Sequence, residues 1–403
     1  MGRPLEGIKV VEVAMWAFVP AAGGILSDMG AAVIKVEPPS GDPLRGLQIG
    51  MTDGAQPRFD FSWESYNRGK QSITLDLKQK AGIEVLYRLL EDADVFLTNL
   101  LPPARRQMGI DADTLRAKFP KLIYATGSAL GQRGPEAEKG GYDSITFWAR
   151  GGVSSSLTED MAEDPVGPPG PAFGDTLSGS MLAGGICAAI AKRAMTGESS
   201  SVDVSLFGAA MWAMQRTIAQ STFDGVARFP RPRRESPNNV LVNNYKTRDN
   251  RFIALCMLQA DKFWARFCEV AGRPELARDP RFVNAAARKE NVEPCLAELR
   301  ALFASKTLAQ WREILAQQDG QWDVVQYVGE INADRQAQAN GYVQTVDAGE
   351  HKLPLVSVPM QFDGLPLPMR RAPDLGADSE TLLAALGYSE DAILELKVAG
   401  VVF

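Results

Sequence analysis

The chain offers few side chains for acid–base or metal chemistry. It contains a single histidine, His351. A zinc site built from two or more histidines is therefore excluded, and a catalytic triad would have to use this one ring. The cysteines are Cys187, Cys256, Cys268 and Cys295, and they show no CxxC spacing. Reduced structural thiols explain them better than a zinc site or a redox pair.

The standard loops that bind nucleotide phosphates are missing from the sequence. The first strand-like run continues into AMWAFVPAAGG, where a dinucleotide-binding fold carries GxGxxG, and GxxxxGK[ST] does not occur. Met15 to Pro20 form an apolar turn at the carboxyl end of that strand, which is where open parallel sheets place their ligands. Core packing of Trp16 and Phe18 explains the same turn equally well.

Strands and helices alternate along the first half of the chain. The hydrophobic pattern predicts strands at 8–13, 32–37, 72–77, 94–99, 121–126 and 201–206, and helices at 21–29, 79–92, 111–118, 174–196 and 207–220. Such alternation implies βαβ units with right-handed crossovers in a parallel sheet. We therefore predict an α/β fold whose large domain is Rossmann-like.

A segment rich in proline, arginine and asparagine, residues 225–239, predicts a linker. Its arginines could contact phosphate, although a solvated linker explains them more simply: Arg228, Arg231, Arg233 and Arg234. Residues 1–224 are then the first part of the large domain and 240–325 a smaller α/β domain. Residues 326–403 are predicted to be a return linker and the C-terminal part of the large domain.

The overall charge argues against some classes of partner. The formal net charge is −6, so we expect no nucleic-acid partner, and an anionic ligand has to be held by local groups. The N-terminal sequence lacks the charged-then-apolar order of a signal peptide. The most apolar short stretch, 183–191, is well below the roughly 20 residues of a membrane span. We expect a cytosolic protein without a membrane partner.

Six motifs in sequence order carry a family resemblance. They are PLEGIKVVEVA, DMGAAVIKVEPPSGDPLRG, NRGKQSITLDLK, ADVFLTNLLPP, KLIYATGSALGQRGPEAEKGGYD and FGDTLSGSMLAGGICAAI. Together they resemble the family III CoA-transferases, the CaiB/BaiF group that includes formyl-CoA transferase. The resemblance runs from about residue 4 to residue 206 and continues more weakly through the smaller domain.

The resemblance implies that Asp175, in the FGD segment, is the catalytic nucleophile. An aspartate with an ordinary pKa of about 3.9 is ionised at neutral pH and can attack a thioester without a separate base. A helix N-terminus would favour its charged form. Gly174 and Gly179 would leave room for the thioester and could offer amides to an oxyanion. The alternative is that Asp175 merely caps the helix.

The reaction implied is transfer of coenzyme A from an acyl-CoA donor, succinyl-CoA being one candidate, to a carboxylic acid. It would pass through an aspartyl anhydride and an aspartyl-CoA thioester. The CoA thioester is a substrate, and the resemblance implies no prosthetic group, metal, nicotinamide or flavin.

The family motifs also imply which residues contact CoA. They are Ala17, Phe18, Leu75, Asp76, Lys78, Asn99, Leu100, Leu101, Lys139, Gly140, Gly141 and Tyr142. Two arginines that the family often carries are replaced here by Pro38 and Gln107. Arg105 or Arg106 is therefore expected to contact the CoA phosphates.

Two alternatives stay open within the same family. The α-methylacyl-CoA racemases look similar but have a histidine where this chain has Tyr142, and a phenol with a pKa of about 10 is a poor base at neutral pH. The other alternative is one subunit of a heteromeric transferase of the benzylsuccinate type. Because family members are usually homodimers whose chains interlock like linked rings, we expect such a dimer here.

Overall fold

The computed structural model describes residues 2–47, 59–230 and 234–403. Two compact units make up the chain: Met1–Phe229 with Arg335–Phe403, and Pro230–Asp334. Arg231 and Arg233 of the predicted linker lie outside the described residues.

The first segment of the large unit carries a parallel sheet. Its strands are β1 (Lys9–Val13), β2 (Ala32–Glu37), β3 (Gln71–Thr74), β4 (Val95–Thr98), β5 (Ile123–Ser128) and β6 (Ser201–Ser205). Its helices are α1 (Phe18–Asp28), α2 (Phe61–Asn67), α3 (Lys80–Leu90), α4 (Pro102–Met108), α5 (Ala112–Lys118), α6 (Val153–Leu157), α7 (Phe173–Thr196), α8 (Leu206–Ala213) and α9 (Gln215–Asp224), with a π-helix at Ser144–Arg150. The strands pair in the order β3-β2-β1-β4-β5-β6, all parallel. This is the doubly wound Rossmann order, so the predicted parallel α/β sheet is confirmed.

Both faces of this sheet are covered, which explains why the central strands β1, β4 and β5 are buried almost throughout. Side chains alternate between the two faces along each strand. On β1, Val10 packs with Leu26 of α1 and Leu182 of α7. Its neighbour Val11 packs on the other face with Leu86 of α3 and with helices from the C-terminal segment.

The small unit has its own core. Its antiparallel sheet contains β7 (Val242–Lys246), β8 (Phe252–Cys256) and β9 (Trp322–Val324). Its helices are α10 (Ala260–Val270), α11 (Ala285–Glu290), α12 (Val292–Ala304), α13 (Leu308–Leu315) and α14 (Val328–Ile331), with a 3-10 turn at Pro274–Ala277. The ring of Phe303 lies 4.8 Å from that of Tyr245 and 4.7 Å from that of Trp311. These buried rings give the unit a core of the kind that an independent domain needs.

The C-terminal segment returns to the large unit. It contains α15 (Arg335–Ala339), β10 (Val343–Ala348), β11 (His351–Val356), β12 (Gln361–Phe362), β13 (Leu365–Pro366), α16 (Ser379–Ala385) and α17 (Glu390–Val398). The N–H of Phe403 donates to the Thr74 hydroxyl at 2.8 Å, and Arg371 donates to the Glu64 carboxylate at 2.6 Å. These contacts tie the end of the chain to β3 and α2.

Helix α7 positions the candidate nucleophile and contributes to the core. Among the described residues, it is the one helix long and apolar enough to cross a membrane by length and composition, a property that core helices share. Leu182, Ala183 and Ile186 are buried in the cluster that includes α1 and the sheet. Because α7 connects two parallel strands, its N-terminus lies at the carboxyl edge of the sheet.

Candidate active site

A cavity of about 480 Å³ opens at the carboxyl edge of the large unit's sheet. Its walls come from the turn after β1, the residues that follow β4 and β5, and the start of α7. Between β1 and β4 the order of the strands reverses, which is where ligands bind in open α/β sheets. The lining residues are Met15, Trp16, Phe18, Asn99, Leu100, Leu101, Pro102, Ala104, Arg105, Gly127, Ser128, Ala129, Gln132, Ala137, Lys139, Gly140, Gly141, Tyr142, Ile145, Asp175 and Leu206.

The small unit has a separate cavity of about 410 Å³, bordered by the starts of α10 and α11. None of the predicted site residues lines it. The chemistry expected from the sequence is therefore located in the large unit.

The turn after β1 is fixed in an unusual conformation. Trp16 has a φ of 69°, in the left-handed region that a bulky residue rarely adopts. Asn99 holds Met15 from both sides: its Oδ1 accepts the Met15 N–H at 3.0 Å, and its Nδ2 donates to the Met15 carbonyl at 2.6 Å. Asp42 accepts the N–H of Trp16 at 3.0 Å. Two side chains from the segments after β2 and β4 therefore hold this wall of the cavity in place.

Buried charges support the same turn. The Lys35 ammonium lies 2.9 Å from the Asp42 carboxylate and 3.1 Å from that of Glu12, with all three side chains fully buried. Lys70 binds the same Glu12 at 2.8 Å. Burial lowers the pKa of Lys70 to about 8. The two cations and two carboxylates balance one another, and loss of any one would leave a buried charge unpaired.

Asp175 lies in the first turn of α7 and faces the cavity. The N-cap of this helix is Ala172, so the interpretation of Asp175 as a simple N-cap is wrong. Burial, followed by the neighbouring carboxylate of Asp143, raises the pKa of Asp175 to about 7. About half of the carboxylate is then protonated at neutral pH. Burial and the Asp143 charge therefore oppose the full ionisation of Asp175 that the sequence led us to expect.

Asp143 caps α7 from outside the helix. Its Oδ2 accepts the N–H of Gly174 at 3.0 Å. Its Oδ1 is buried and has no hydrogen-bond partner among the described residues. Burial raises the pKa of Asp143, while the amides at the start of α7 act in the opposite direction. Two carboxyl groups therefore share one helix end, and the charge on one opposes ionisation of the other.

Gly174 and Gly179 of α7 are close-packing residues. A Cβ on Gly174 would lie 2.3 Å from the Phe147 ring and 2.4 Å from Oδ1 of Asp143. A Cβ on Gly179 would lie 2.7 Å from the carbonyl oxygen of Phe18 in α1. The expectation that these glycines make room for a thioester was wrong, because protein atoms fill the space beside them. The Gly174 N–H is also already donated to Asp143 and is not free for an oxyanion.

Two basic residues also line the cavity. Arg105 is buried and donates to the Tyr124 hydroxyl and to Gln132, while its Nε has no partner among the described residues. Lys139 lies at the cavity and pairs with Glu136 at 2.8 Å. Arg105 and Lys139 are therefore the cationic side chains that line the cavity.

Comparison with known proteins identifies the family. The family model described as "CoA-transferase family III" matches residues 5–379. The chain belongs to the family III CoA-transferases. It is 34% identical to (R)-2-hydroxy-4-methylpentanoate CoA-transferase of Clostridioides difficile, over 99% of each chain. It is 33% identical to cinnamoyl-CoA:phenyllactate CoA-transferase of Clostridium sporogenes, over 97% of this chain and 95% of that one.

A solved structure agrees with this assignment. The CaiB/BaiF family protein from Brucella suis superimposes with a TM-score of 0.83 at 28% identity, covering 96% of this chain and 100% of that one. The protein is therefore an enzyme that transfers CoA, and its substrates are acyl-CoA thioesters and carboxylic acids.

Most of the residues that were expected to contact CoA lie together in the cavity of this CoA-transferase. Those that line it are Phe18, Asn99, Leu100, Leu101, Arg105, Lys139, Gly140, Gly141 and Tyr142. Ala17 is the buried N-cap of α1, directly behind the wall. The Asn99 amide is occupied by Met15, so this residue shapes the wall of the CoA-transferase site through its contacts with the backbone.

Besides Ala17, four expected residues lie outside the lining of the cavity. Leu75 is buried in the core just beyond β3, and Asp76 and Lys78 follow it at that edge of the sheet. The Asp76 carboxylate accepts the N–H of Lys78 at 3.0 Å. Arg106 is exposed and pairs with Glu138 at 2.5 Å. Of the two candidate phosphate ligands of the CoA-transferase, only Arg105 lines the cavity.

The sequence analysis did not predict several residues of the CoA-transferase site. Asp143 directly follows Tyr142 in the GGYD motif, and an acidic residue next to an apolar ITFW run could have signalled a buried carboxylate. Gln132, Ile145 and Leu206 line the cavity without a motif of their own. Across the described ranges, no group of three or more His, Cys, Asp or Glu side chains could hold a metal ion.

Proposed function

We propose that this CoA-transferase works through covalent intermediates on Asp175. An oxygen of the carboxylate attacks the thioester carbonyl and the C–S bond breaks. CoA leaves as a thiolate, and the acyl group stays on Asp175 as an aspartyl anhydride. The thiolate then attacks the aspartyl carbonyl and releases the donor acid, leaving aspartyl-CoA. The acceptor carboxylate attacks this thioester, and the thiolate returns to the new acyl group and frees Asp175.

The observation that carries this proposal is the position of Asp175. Asp175 is the acidic residue that lines the cavity, and it lies in the first turn of α7. In the described residues no lysine or arginine pairs with it, so it is free to act on a substrate. Arg105 and Lys139 line the same cavity and suit the phosphates of CoA.

We propose that the acid that accepts CoA is a 2-hydroxy acid with an apolar side chain. The cavity surface around Asp175 includes Trp16, Phe18, Ile145 and Leu206. An apolar lining favours an apolar substituent, because burial of apolar surface is the main favourable term. The two relatives compared above are named for 2-hydroxy-4-methylpentanoate and phenyllactate, which both fit this description.

An acceptor panel tests the proposal. The purified enzyme is given one acyl-CoA donor at a time, succinyl-CoA and cinnamoyl-CoA among them, with phenyllactate, 2-hydroxy-4-methylpentanoate, lactate or glutarate as acceptor. We expect the highest kcat/KM with the two apolar 2-hydroxy acids. A preference for glutarate over both would contradict the proposed acid class, although CoA transfer itself would stand.

The racemase alternative has a direct test. A histidine base is missing at Tyr142, and His351 lies in β11 beside the Phe59 ring. We expect no solvent deuterium at the α-carbon of a 2-methylacyl-CoA. Exchange at a catalytic rate would make the racemase the better assignment.

We propose a homodimer in the cytosol as the working form. Large apolar side chains are exposed on the helices after β6: Trp212 is 63% exposed and Phe223 is 91% exposed. Surfaces of this kind favour association. Size-exclusion chromatography with an activity assay of the chain expressed alone separates an active homodimer from one subunit of a heteromeric transferase.

A further inference from the structure

The left-handed conformation of Trp16 calls for an explanation. A left-handed conformation costs little for glycine but is unfavourable for a bulky residue, and such strain is concentrated at functional sites. Trp16 nevertheless occupies it, with a φ of 69°. The indole also lines the cavity that Asp175 faces.

The surrounding structure holds this conformation at several points. Asn99 binds both the N–H and the carbonyl of Met15, and Asp42 accepts the N–H of Trp16. Asp42 is itself anchored by the buried Lys35. Hydrogen bonds hold the backbone just before the Cα atom of Trp16, and helix α1 begins two residues after it, at Phe18. The backbone that carries the indole is therefore fixed in position.

The indole meets a second aromatic ring inside the cavity. Trp16 and Tyr142 have ring centroids 5.6 Å apart at an interplanar angle of 89°, which is a T-shaped contact. Tyr142 is 58% exposed, so this pair presents aromatic surface to the cavity. Edge-to-face geometry is one of the favourable arrangements of two aromatic rings, and the exposed surface of Tyr142 is open to contact with an apolar group of the substrate.

We propose that Trp16, supported by Tyr142, is the residue that selects acids with bulky apolar side chains. This rests on the proposed function, since it assumes that the acyl group reacts at Asp175 within the same cavity. A flat indole edge held at a fixed position favours a benzyl or isobutyl substituent over a methyl group. Trp16 then acts on the choice of acid, while Asp175 carries out the transfer.

The test compares Trp16→Gly, Trp16→Ala and Trp16→Phe. Glycine removes the ring and relieves the backbone, whereas alanine removes the ring and keeps the unfavourable φ. For each variant, kcat/KM is measured with phenyllactate and with lactate as acceptors of CoA from one donor. We expect the ratio of phenyllactate to lactate to fall at least about tenfold in both small variants, a discrimination typical of an apolar pocket. Trp16→Phe should fall in between.

Three controls separate an effect on substrate selection from an effect on the structure. Succinyl-CoA serves as the donor, because its acyl group carries no bulky apolar side chain. Its KM should stay within about threefold of wild type, since the proposal assigns Trp16 to the apolar side chain of the acid. Tyr142→Phe keeps the second ring and should keep the ratio, while Tyr142→Ala should lower it. Trp16→Gly should unfold at a higher urea concentration than Trp16→Ala.

Equal losses for both acids, or an unchanged ratio, would overturn the role of Trp16 and leave CoA transfer intact. If the wild-type enzyme uses neither 2-hydroxy acid but does transfer CoA to glutarate, the proposed acid class fails first. The role of Trp16 then fails with it.

Discussion

Substituting Asn for Asp143 tests how the fold sets the ionisation of Asp175. The amide is nearly the same size as the carboxylate, and its Oδ1 can still accept the Gly174 N–H that Asp143 accepts at 3.0 Å. The substitution removes the negative charge and keeps the cap on α7. Because that charge is the second cause of the raised pKa of Asp175, after burial, the pKa should fall below about 7 in the variant.

The expected effect on rate follows from the ionised fraction. With a pKa of about 7, roughly nine-tenths of Asp175 is ionised at pH 8 and roughly one-tenth at pH 6. If only the carboxylate attacks, kcat/KM for the acyl-CoA in the wild-type enzyme falls about tenfold over that range. In Asp143→Asn the decrease should be smaller, with the midpoint at lower pH.

The assay is the pH dependence of kcat/KM from pH 5 to 9, which reports groups of the free enzyme. Taking the ratio of variant to wild type at each pH cancels the titration of the CoA phosphates. Asp143→Ala serves as the comparison, because it also removes the cap and should cost about 1 kcal/mol of stability. Identical profiles for wild type and Asp143→Asn would refute the electrostatic coupling, and a flat wild-type profile would refute the raised pKa itself.

Two further predictions concern helix α7. Gly174→Ala should destabilise the fold by about 1–3 kcal/mol and lower kcat, because the added Cβ meets Phe147 and Asp143. Gly184→Ala, whose Cβ meets nothing within 4 Å, should instead stabilise the fold by about 0.5–1 kcal/mol in urea unfolding. Equal effects of the two substitutions would contradict the packing argument. For Asp175→Asn, the direction of the stability change follows from the folded-state pKa of Asp175, which at about 7 lies above the ordinary value of 3.8. Ionisation of Asp175 therefore destabilises the folded wild-type enzyme increasingly as the pH rises between these two values. The variant should be more stable than wild type at pH 8, by at most about 4 kcal/mol, and equal to it near pH 4. A gain in stability that is independent of pH would contradict this prediction.

The sequence predicted the strands of the central sheet better than the elements at its edge. β2 has the predicted bounds, 32–37, because Gly30 before it and Pro38 and Pro39 after it mark the turns on either side of a run rich in β-branched residues. The helix predicted at 207–220 is interrupted at Met214, which separates α8 from α9. The short helices α2 and α4 were not predicted. Each has seven residues, which are too few to show the spacing of apolar residues that identifies a helix.

For the candidate site, too, some features could be predicted from the sequence and others could not. The position of Asp175 could be predicted because a motif carries it. The pKa of Asp175 could not be predicted, because it depends on Asp143, which lies 31 residues before Gly174 in the chain and meets α7 only in the fold. The φ of Trp16 likewise depends on Asp42 and Asn99, side chains from other segments. Contacts between distant segments leave no periodic signal in the sequence.

Trapping the covalent intermediate tests the central claim most directly. Enzyme is incubated with acyl-CoA in the absence of acceptor, treated with hydroxylamine or borohydride, digested, and examined by peptide mass spectrometry. The mechanism predicts modification of the peptide that contains Asp175 and none in Asp175→Ala, which should retain less than about 1% of wild-type turnover, as loss of a covalent nucleophile implies. An enzyme that turns over normally but never carries a label on Asp175, or an Asp175→Ala variant that stays active, would contradict the aspartyl mechanism.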